Sequence, residues 1–335
     1  MKTQPLISVC IPVYDTEPYL AQCLHSVLTQ DFDSFEIVIV SDASCGRDEK
    51  GWKAKKIIQH SQKECNKIRK SKELPPVPVT FIENRENRGL IEVRRLLCTK
   101  AHGEYITQLD SDDQMVEGAL SSLYKTAREG NFDIVHGTST AGVFDKNGSF
   151  TPAEKNRCGT IFYGTLSGHD VFYGWLIKKQ FTANTWGKLI KRKLWVDAYN
   201  NIPYTECNMA DDVLLFFFLA QYAKSYIGIE NKVYRYRINT GMSSSRKIDN
   251  LRKWKMICSA ASVFTVISEW IKENPDALSE EEVNQIRKMT RFYLANNLQQ
   301  MRDVVIPELQ PAAREMLCDF WGESFVNKIE KSCVL

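Results

Sequence analysis

The chain reads as an α/β protein, a sheet of buried strands covered by helices, and three features predict this. The apolar runs Leu6 to Val13 and Phe35 to Val40 have strand length and are continuous, as in parallel sheets buried on both faces. Segments with helical apolar spacing separate such runs. Each run ends in polar residues: Tyr14 after the first, Asp42 after the second, and the tetrad Asp110-Ser111-Asp112-Asp113 after a later one. Ligands of such sheets bind just outside the carboxyl ends of the strands.

The elements follow in order. After the strand Leu6 to Val13, Thr16 or Asp15 is placed to cap a helix whose apolar positions are Leu20, Leu24, Val27 and Leu28. The strand Phe35 to Val40 ends in Ser41-Asp42-Ala43-Ser44. The segment Arg47 to Lys72 holds ten Lys or Arg against three acids, with Trp52, Ile57, Ile58 and Ile68 as an apolar face. It is expected to lie on the sheet as a helix with its charges outward. Val77 to Ile82 is a third strand, Leu90 to Ala101 a helix between Gly89 and Gly103, and Glu104 to Leu109 a fourth, alternating strand. The spacing then gives a helix over Val116 to Arg128, a strand over Asp133 to Gly137, a hairpin from Val143 to Thr151 around Asn147-Gly148, and a helix-like stretch from His169 to Lys179. Asp211-Asp212 before the apolar run Val213 to Phe218 is an N-cap signal. Beyond Asn250 come three or more helices, over Leu251 to Lys272, Ser279 to Arg302 (opened by a Ser279/Glu282 capping box) and Pro311 to Lys331. They are expected to pack on the preceding domain or to form a homodimer face.

Composition narrows the function. A length of 335 residues suits two structural units with room for a third. A net charge of only +3 gives no global polyanion-binding signal, and a nucleic-acid partner is not expected. Ten cysteines run from Cys10 to Cys333 with no C-x-x-C pair, which is neither a disulfide framework nor a zinc site and fits reduced thiols. Met1 to Pro5 shows no signal-peptide pattern, and the apolar stretch Met256 to Ser268 is short of the roughly 20 residues of a membrane span. The expectation is a cytoplasmic protein, with a peripheral position at the inner membrane face through the basic segment 47–72. Neither G-x-G-x-x-G nor G-x-x-x-x-G-K-[ST] occurs. A nucleotide site here has to use carboxylates and a metal rather than a glycine cradle.

The tetrad supplies that chemistry. Carboxylates at a strand end hold a hard divalent cation, Mn²⁺ or Mg²⁺, and leave coordination positions for substrate phosphates. Taken alone, it reads more readily as a turn. Tyr14 taken alone is a packed strand-end tyrosine, Asp42 a helix cap, Asn87 loop chemistry and Arg94 a surface ion pair. Their common order at strand ends favours a nucleotide site.

The combination Ile11-Pro12-Val13-Tyr14, Ile39-Val40-Ser41-Asp42, Asn87-Arg88-Gly89 with Val93-Arg94-Arg95, and Gly103-Glu104-Tyr105-Ile106 leading to Asp110-Ser111-Asp112-Asp113 resembles glycosyltransferase family 2 over roughly residues 6 to 245. The resemblance implies a GT-A fold, a Rossmann-like mixed sheet, with a C-terminal helical extension. It divides the chain into a nucleotide-sugar-binding half (1–114), an acceptor-side half (115–248) and the extension (249–335). It implies an inverting transfer from a UDP-sugar to a glycan or lipid-linked acceptor, as in bacterial surface polysaccharide synthesis, with Mn²⁺ or Mg²⁺. Pro12 and Tyr14 would line the base pocket, Asp42 accept from the uracil N3–H, and Asp110 face the ribose. Asn87, Arg94 and Ser111 would complete the nucleotide site, with Asp112 on the metal. Trp186, in a Trp-x-Lys-Leu segment, and Asp211 would meet the acceptor; Asp212 would be the catalytic base. Arg237 and Arg246 would flank a loop closing over the diphosphate. The chain departs from the family at Ser41 and Ala43, where Asp and Gly are usual, and at Asp211, where Glu is usual. The alternative is a non-catalytic module that only binds a nucleotide sugar.

Overall fold

The computed structural model describes residues 4–145, 148–155, 158–238, 240 and 247–332. Among these residues ten strands are found: β1 Ile7–Val13, β2 Phe35–Ser41, β3 Val79–Glu83, β4 Tyr105–Gln108, β5 Gln114–Met115, β6 Ile134–Phe144, β7 Phe150–Pro152, β8 Thr165–Ser167, β9 Lys188–Lys191 and β10 Ser225–Arg237. The α-helices are α1 Glu17–Leu28, α2 Ala54–Ser71, α3 Leu90–Lys100, α4 Ala119–Gly130, α5 Asp170–Leu176, α6 Arg192–Asn201, α7 Asp211–Tyr222, α8 Leu251–Cys258, α9 Ala260–Glu273, α10 Glu280–Asp303, α11 Gln310–Trp321 and α12 Glu323–Ser332.

One sheet carries the site, in the order β3-β2-β1-β4-β9-β6-β10-β5. The first four strands are parallel, as the continuous apolar runs predict. The sheet then becomes mixed: β9 runs antiparallel to both β4 and β6, and β5 antiparallel to β10. Side chains alternate between two cores because strand residues point to opposite faces. Ile37 and Ile39 pack with α1, α2 and α4; Val38 and Val40 pack with α3, α5, α6, α7 and α9. A third core, centred on Trp254, Leu298 and Leu317, holds the C-terminal helices together.

Some local expectations change. Thr16 precedes α1 but makes no capping bond, and its hydroxyl instead meets Ser111 Oγ at 2.6 Å. The first C-terminal helix divides at Ser259 and the third at Gly322, whose φ of +82° suits glycine. The Ser279/Glu282 capping box is formed. In α2 the apolar face differs from expectation at one turn. Ile68 is exposed, whereas Arg69 is buried and donates to the carbonyls of Pro75, Leu28, Gln30 and Phe32. A guanidinium with five donors can satisfy a ring of helix-end carbonyls that isoleucine would leave unpaired. No helix among the described residues is long and apolar enough to cross a membrane.

Candidate active site

The parallel strands deliver their terminal residues to one edge. Val13 lies beside Ser41 in register, so Tyr14 and Asp42 emerge together, and Leu109 N bonds to the Cys10 carbonyl so that the tetrad follows alongside. Pro12 is buried in β1 opposite Val40. The Asp42 carboxylate accepts from Asn84 Nδ2 (2.8 Å) and from the backbone N–H groups of Arg88 and Gly89 (3.0 Å each). It therefore pins the start of α3, and three donors on a group with about four acceptor sites leave it one more. Asn87 is exposed and donates to the Asp42 carbonyl at 3.4 Å. Gly89 has φ +83°, and a Cβ there would sit 3.1 Å from Asn208 Oδ1, so both conformation and space favour glycine.

The loop after β4 is held from beneath. Asp113, almost fully buried, accepts from the Tyr234 hydroxyl (2.7 Å) and from Arg237 N (2.6 Å). Burial pushes its carboxyl well above the usual range. Tyr234 also receives a bond from Asp110 N. Asp113 thus ties the loop to the end of β10 and leaves Asp110 and Asp112 to face the site. Asp112 accepts from the Thr240 hydroxyl at 2.9 Å; burial, and after it the neighbouring Asp110 charge, raise its pKa. Two carboxylates that feel each other's charge carry an excess that a divalent cation offsets. Among the described residues no group of three or more His, Cys, Asp or Glu is arranged to hold a metal ion. Asp110 and Asp112 nevertheless fit the open type of site, where one or two carboxylates share the cation with substrate phosphates.

Arg237 is enclosed. Its Nε donates to the Asp112 carbonyl (2.8 Å) and its Nη2 to Gln22 Oε1 (2.7 Å), and the guanidinium lies over the rings of Phe144 and Tyr19. Arg246 lies outside the described residues.

Arg94 joins the two halves of the sheet edge. It is 4% exposed and donates to Asp110 Oδ1 (3.2 Å), Gln108 Oε1 (3.3 Å) and Asp211 Oδ2 (3.0 Å). Burial opposes its charge, but Asp110 and Asp211 outweigh burial and raise its pKa. The surface-pair reading of this residue is thereby replaced by a buried three-partner bridge. Asp211 and Asp212 open α7 directly after Ala210, whose φ of +61° is unusual for a residue with a Cβ. Burial raises both carboxyls, Asp211 to about 6 against the pull of Arg94. Asp212 accepts from Val213 N at 2.8 Å and feels the charges of Arg94 and Lys188.

Trp186 is half-buried and stacks on Tyr234 (4.9 Å) and Tyr236 (5.5 Å). Lys188, two residues on, was not singled out by sequence. It is fully buried, donates through Nζ to the carbonyls of Thr182 and Asn184, and sits over the Phe216 ring. It therefore fixes the turn that presents Trp186. Only the Trp-x-Lys spacing could have signalled it. Tyr14 gains a partner from far along the chain: Arg252, on α8, donates to its hydroxyl.

A model of the family described as "Glycosyl transferase family 2" matches residues 8–184. Glycosyltransferase GlyA of Streptococcus pneumoniae serotype 4 is 26% identical over 239 residues, covering 71% of this chain and 31% of GlyA, so the chain spans about a third of that relative. A Campylobacter jejuni GalNAc(5)-diNAcBac-PP-undecaprenol beta-1,3-glucosyltransferase is 31% identical over 126 residues, 38% of this chain and 36% of that protein. Among solved structures, S. aureus TarS 1-349 in complex with UDP-GlcNAc aligns over 97% of this chain and 92% of its own with a TM-score of 0.52 and 20% identity. That likeness establishes the GT-A fold. With more than half of the chain matched by the family model, and the strand-end residues gathered on one edge of that fold, this chain belongs to glycosyl transferase family 2.

Proposed function

We propose that the chain transfers a sugar from a UDP-sugar to an acceptor hydroxyl with inversion at the anomeric carbon. One observation carries the reading. The buried Arg94 guanidinium binds Asp110 on one side and Asp211 on the other, which sets a donor-type carboxylate loop and a second carboxylate pair at a fixed separation. A displacement needs such an arrangement, with the leaving group on one side and a base on the other.

In this mechanism Tyr14 and Pro12 line the base pocket, and Asp42 offers its remaining acceptor site to the imide N–H of uracil. Asn87 and Ser111 border the nucleotide, with Asp110 toward the ribose. Asp112, with Asp110, would hold Mn²⁺ or Mg²⁺, which when bound offsets the charge of the departing diphosphate. Trp186 offers an apolar flank to the acceptor sugar, and Asp211, itself oriented by Arg94, borders the acceptor. Asp212 accepts the hydroxyl proton as the acceptor oxygen bonds to the anomeric carbon and the bond to UDP breaks. Arg237 acts from beneath, holding the Asp112 backbone. The UDP preference is supported by the nucleotide sugar bound to TarS, and a glycan or lipid-linked acceptor by the polyprenol-linked substrate named for the Campylobacter relative. Nine exposed Lys or Arg in and around α2, once Arg69 is set aside, would favour an anionic membrane surface near such an acceptor.

The test is release of UDP from a panel of UDP-sugars in Mn²⁺, with and without a polyprenol-linked glycan. Acceptor-stimulated release from one UDP-sugar is expected. Binding of UDP without release under any acceptor would leave only the nucleotide-sugar-binding module.

A further inference from the structure

We propose that Arg252, contributed by the C-terminal helices, belongs to the donor site: it fixes the Tyr14 ring and supplies positive charge to the diphosphate of the bound nucleotide. This rests on the nucleotide-sugar reading above and gives the helical extension a role in that site.

The first support is the contact itself. Arg252 Nη2 donates to the Tyr14 hydroxyl across 238 positions of sequence, which brings α8 over the end of β1. Among the described residues this hydroxyl is the only partner of the Arg252 guanidinium, and the side chain is exposed, so most of its five N–H donors face solvent at the site's rim.

The second support is charge. Asp15, Asp42, Asp110 and Asp112 all border this edge, and a diphosphate adds more negative charge. Among the described residues, the two arginines that bond to the carboxylate loop are spent. Arg94 is divided between Asp110, Gln108 and Asp211, and Arg237 between the Asp112 carbonyl, Gln22 and two aromatic rings. Arg252 has donors left for phosphate oxygens, and guanidinium is well matched to them.

The third support is rigidity where an exposed arginine would ordinarily be loose. The Asn250 side chain caps α8 by accepting from Lys253 N. Trp254 is fully buried and donates to the Ala313 carbonyl at 2.8 Å. Ile248 bonds on both sides, its N–H to Val304 and its carbonyl to Ile306 N. The third core therefore acts as a frame that holds the Arg252 backbone against the donor site.

Calorimetry with UDP and with uridine, in Mn²⁺, tests this on wild type, Arg252→Met, Arg252→Lys and Tyr14→Phe. Arg252→Met is expected to weaken UDP about tenfold or more, as loss of a charged hydrogen bond does. Uridine should weaken less, Arg252→Lys should recover part of the loss, and Tyr14→Phe should fall between Arg252→Met and wild type. Thermal melting should be unchanged, since the side chain is exposed. Unchanged UDP affinity in Arg252→Met, or equal losses for UDP and uridine, overturns the proposal. Failure of wild type to bind UDP overturns the nucleotide-sugar reading itself, so the two failures are told apart by which protein shows them.

Discussion

Two acidic pairs flank Arg94, and they are nearly identical as sequence. Asp110 and Asp112 follow a strand; Asp211 and Asp212 open a helix. Their surroundings differ. The first pair sits on a loop anchored by the buried Asp113, with a hydroxyl, Thr240, on Asp112 and, among the described residues, no lysine bonded to either carboxylate. The second lies deep against the core face, where burial raises both carboxyls while Arg94 and Lys188 oppose the rise. The first environment suits coordination of a cation. The second suits a carboxylate poised to exchange a proton near neutral pH. On the proposed reading, the same residue type is divided between two tasks by what packs around it.

Substitution within each pair separates these tasks most strongly. Asp112→Asn is expected to cost about 10³-fold or more in turnover, the several kcal/mol that a bound cation contributes, and to weaken UDP. Excess EDTA should reproduce it in wild type. Full activity in EDTA would remove the distinction between the pairs. Asp212→Asn is expected to lower kcat by about 10²- to 10⁴-fold with UDP affinity near wild type, the signature of a general base on the acceptor side. A collapse of UDP affinity would place Asp212 with the donor instead.

Arg94→Met acts on both pairs at once. It leaves buried carboxylates without their shared partner, and removing one member of a buried ion pair costs about 3 to 5 kcal/mol. Denaturant unfolding should show that loss, whereas Asp112→Asn should leave stability close to wild type. A midpoint for Arg94→Met equal to that of wild type would mean the bridge carries no structural weight.

How much of this was legible in the sequence depends on where each residue stands. The parallel half could be read because its strands are continuous apolar runs and its site residues follow them directly, so Tyr14, Asp42 and the tetrad come with local markers. The mixed half was harder. The reversal of β9 depends on pairing with both β4 and β6, which periodicity does not encode. Lys188 and Arg69 look like ordinary surface cations, yet each is buried by the ring of carbonyls it satisfies. Asp113 is chemically equivalent to its neighbours, and only the approach of Tyr234 and Arg237 assigns it to the scaffold. Arg252 was out of reach for the same reason: its partner is Tyr14, at the other end of the chain.

The smallest expected effect is in pH, and it bears on the comparison most directly. Asp211 is raised to about 6 from an ordinary value of 3.8, and burial raises Asp212 as well. The two are adjacent and share the field of Arg94, so they titrate as a pair. A base must be deprotonated to act, and a pair of which Asp211 is raised to about 6 still carries a proton at pH 5. Turnover should therefore fall below about pH 6 and level off above it. Stability should move the other way. These carboxyls bind protons more tightly when folded than when unfolded, so their contribution is full below the ordinary value near 4 and is lost as pH rises through the folded values, about 6 for Asp211. Between pH 4 and 6 the protein should thus gain activity while this pair's share of its stability declines. Measuring kcat and denaturant midpoints over the same buffers checks both limbs. An acid limb near pH 4 would mean that Asp211 and Asp212 behave as exposed carboxylates, and that burial does not distinguish the second pair from the first.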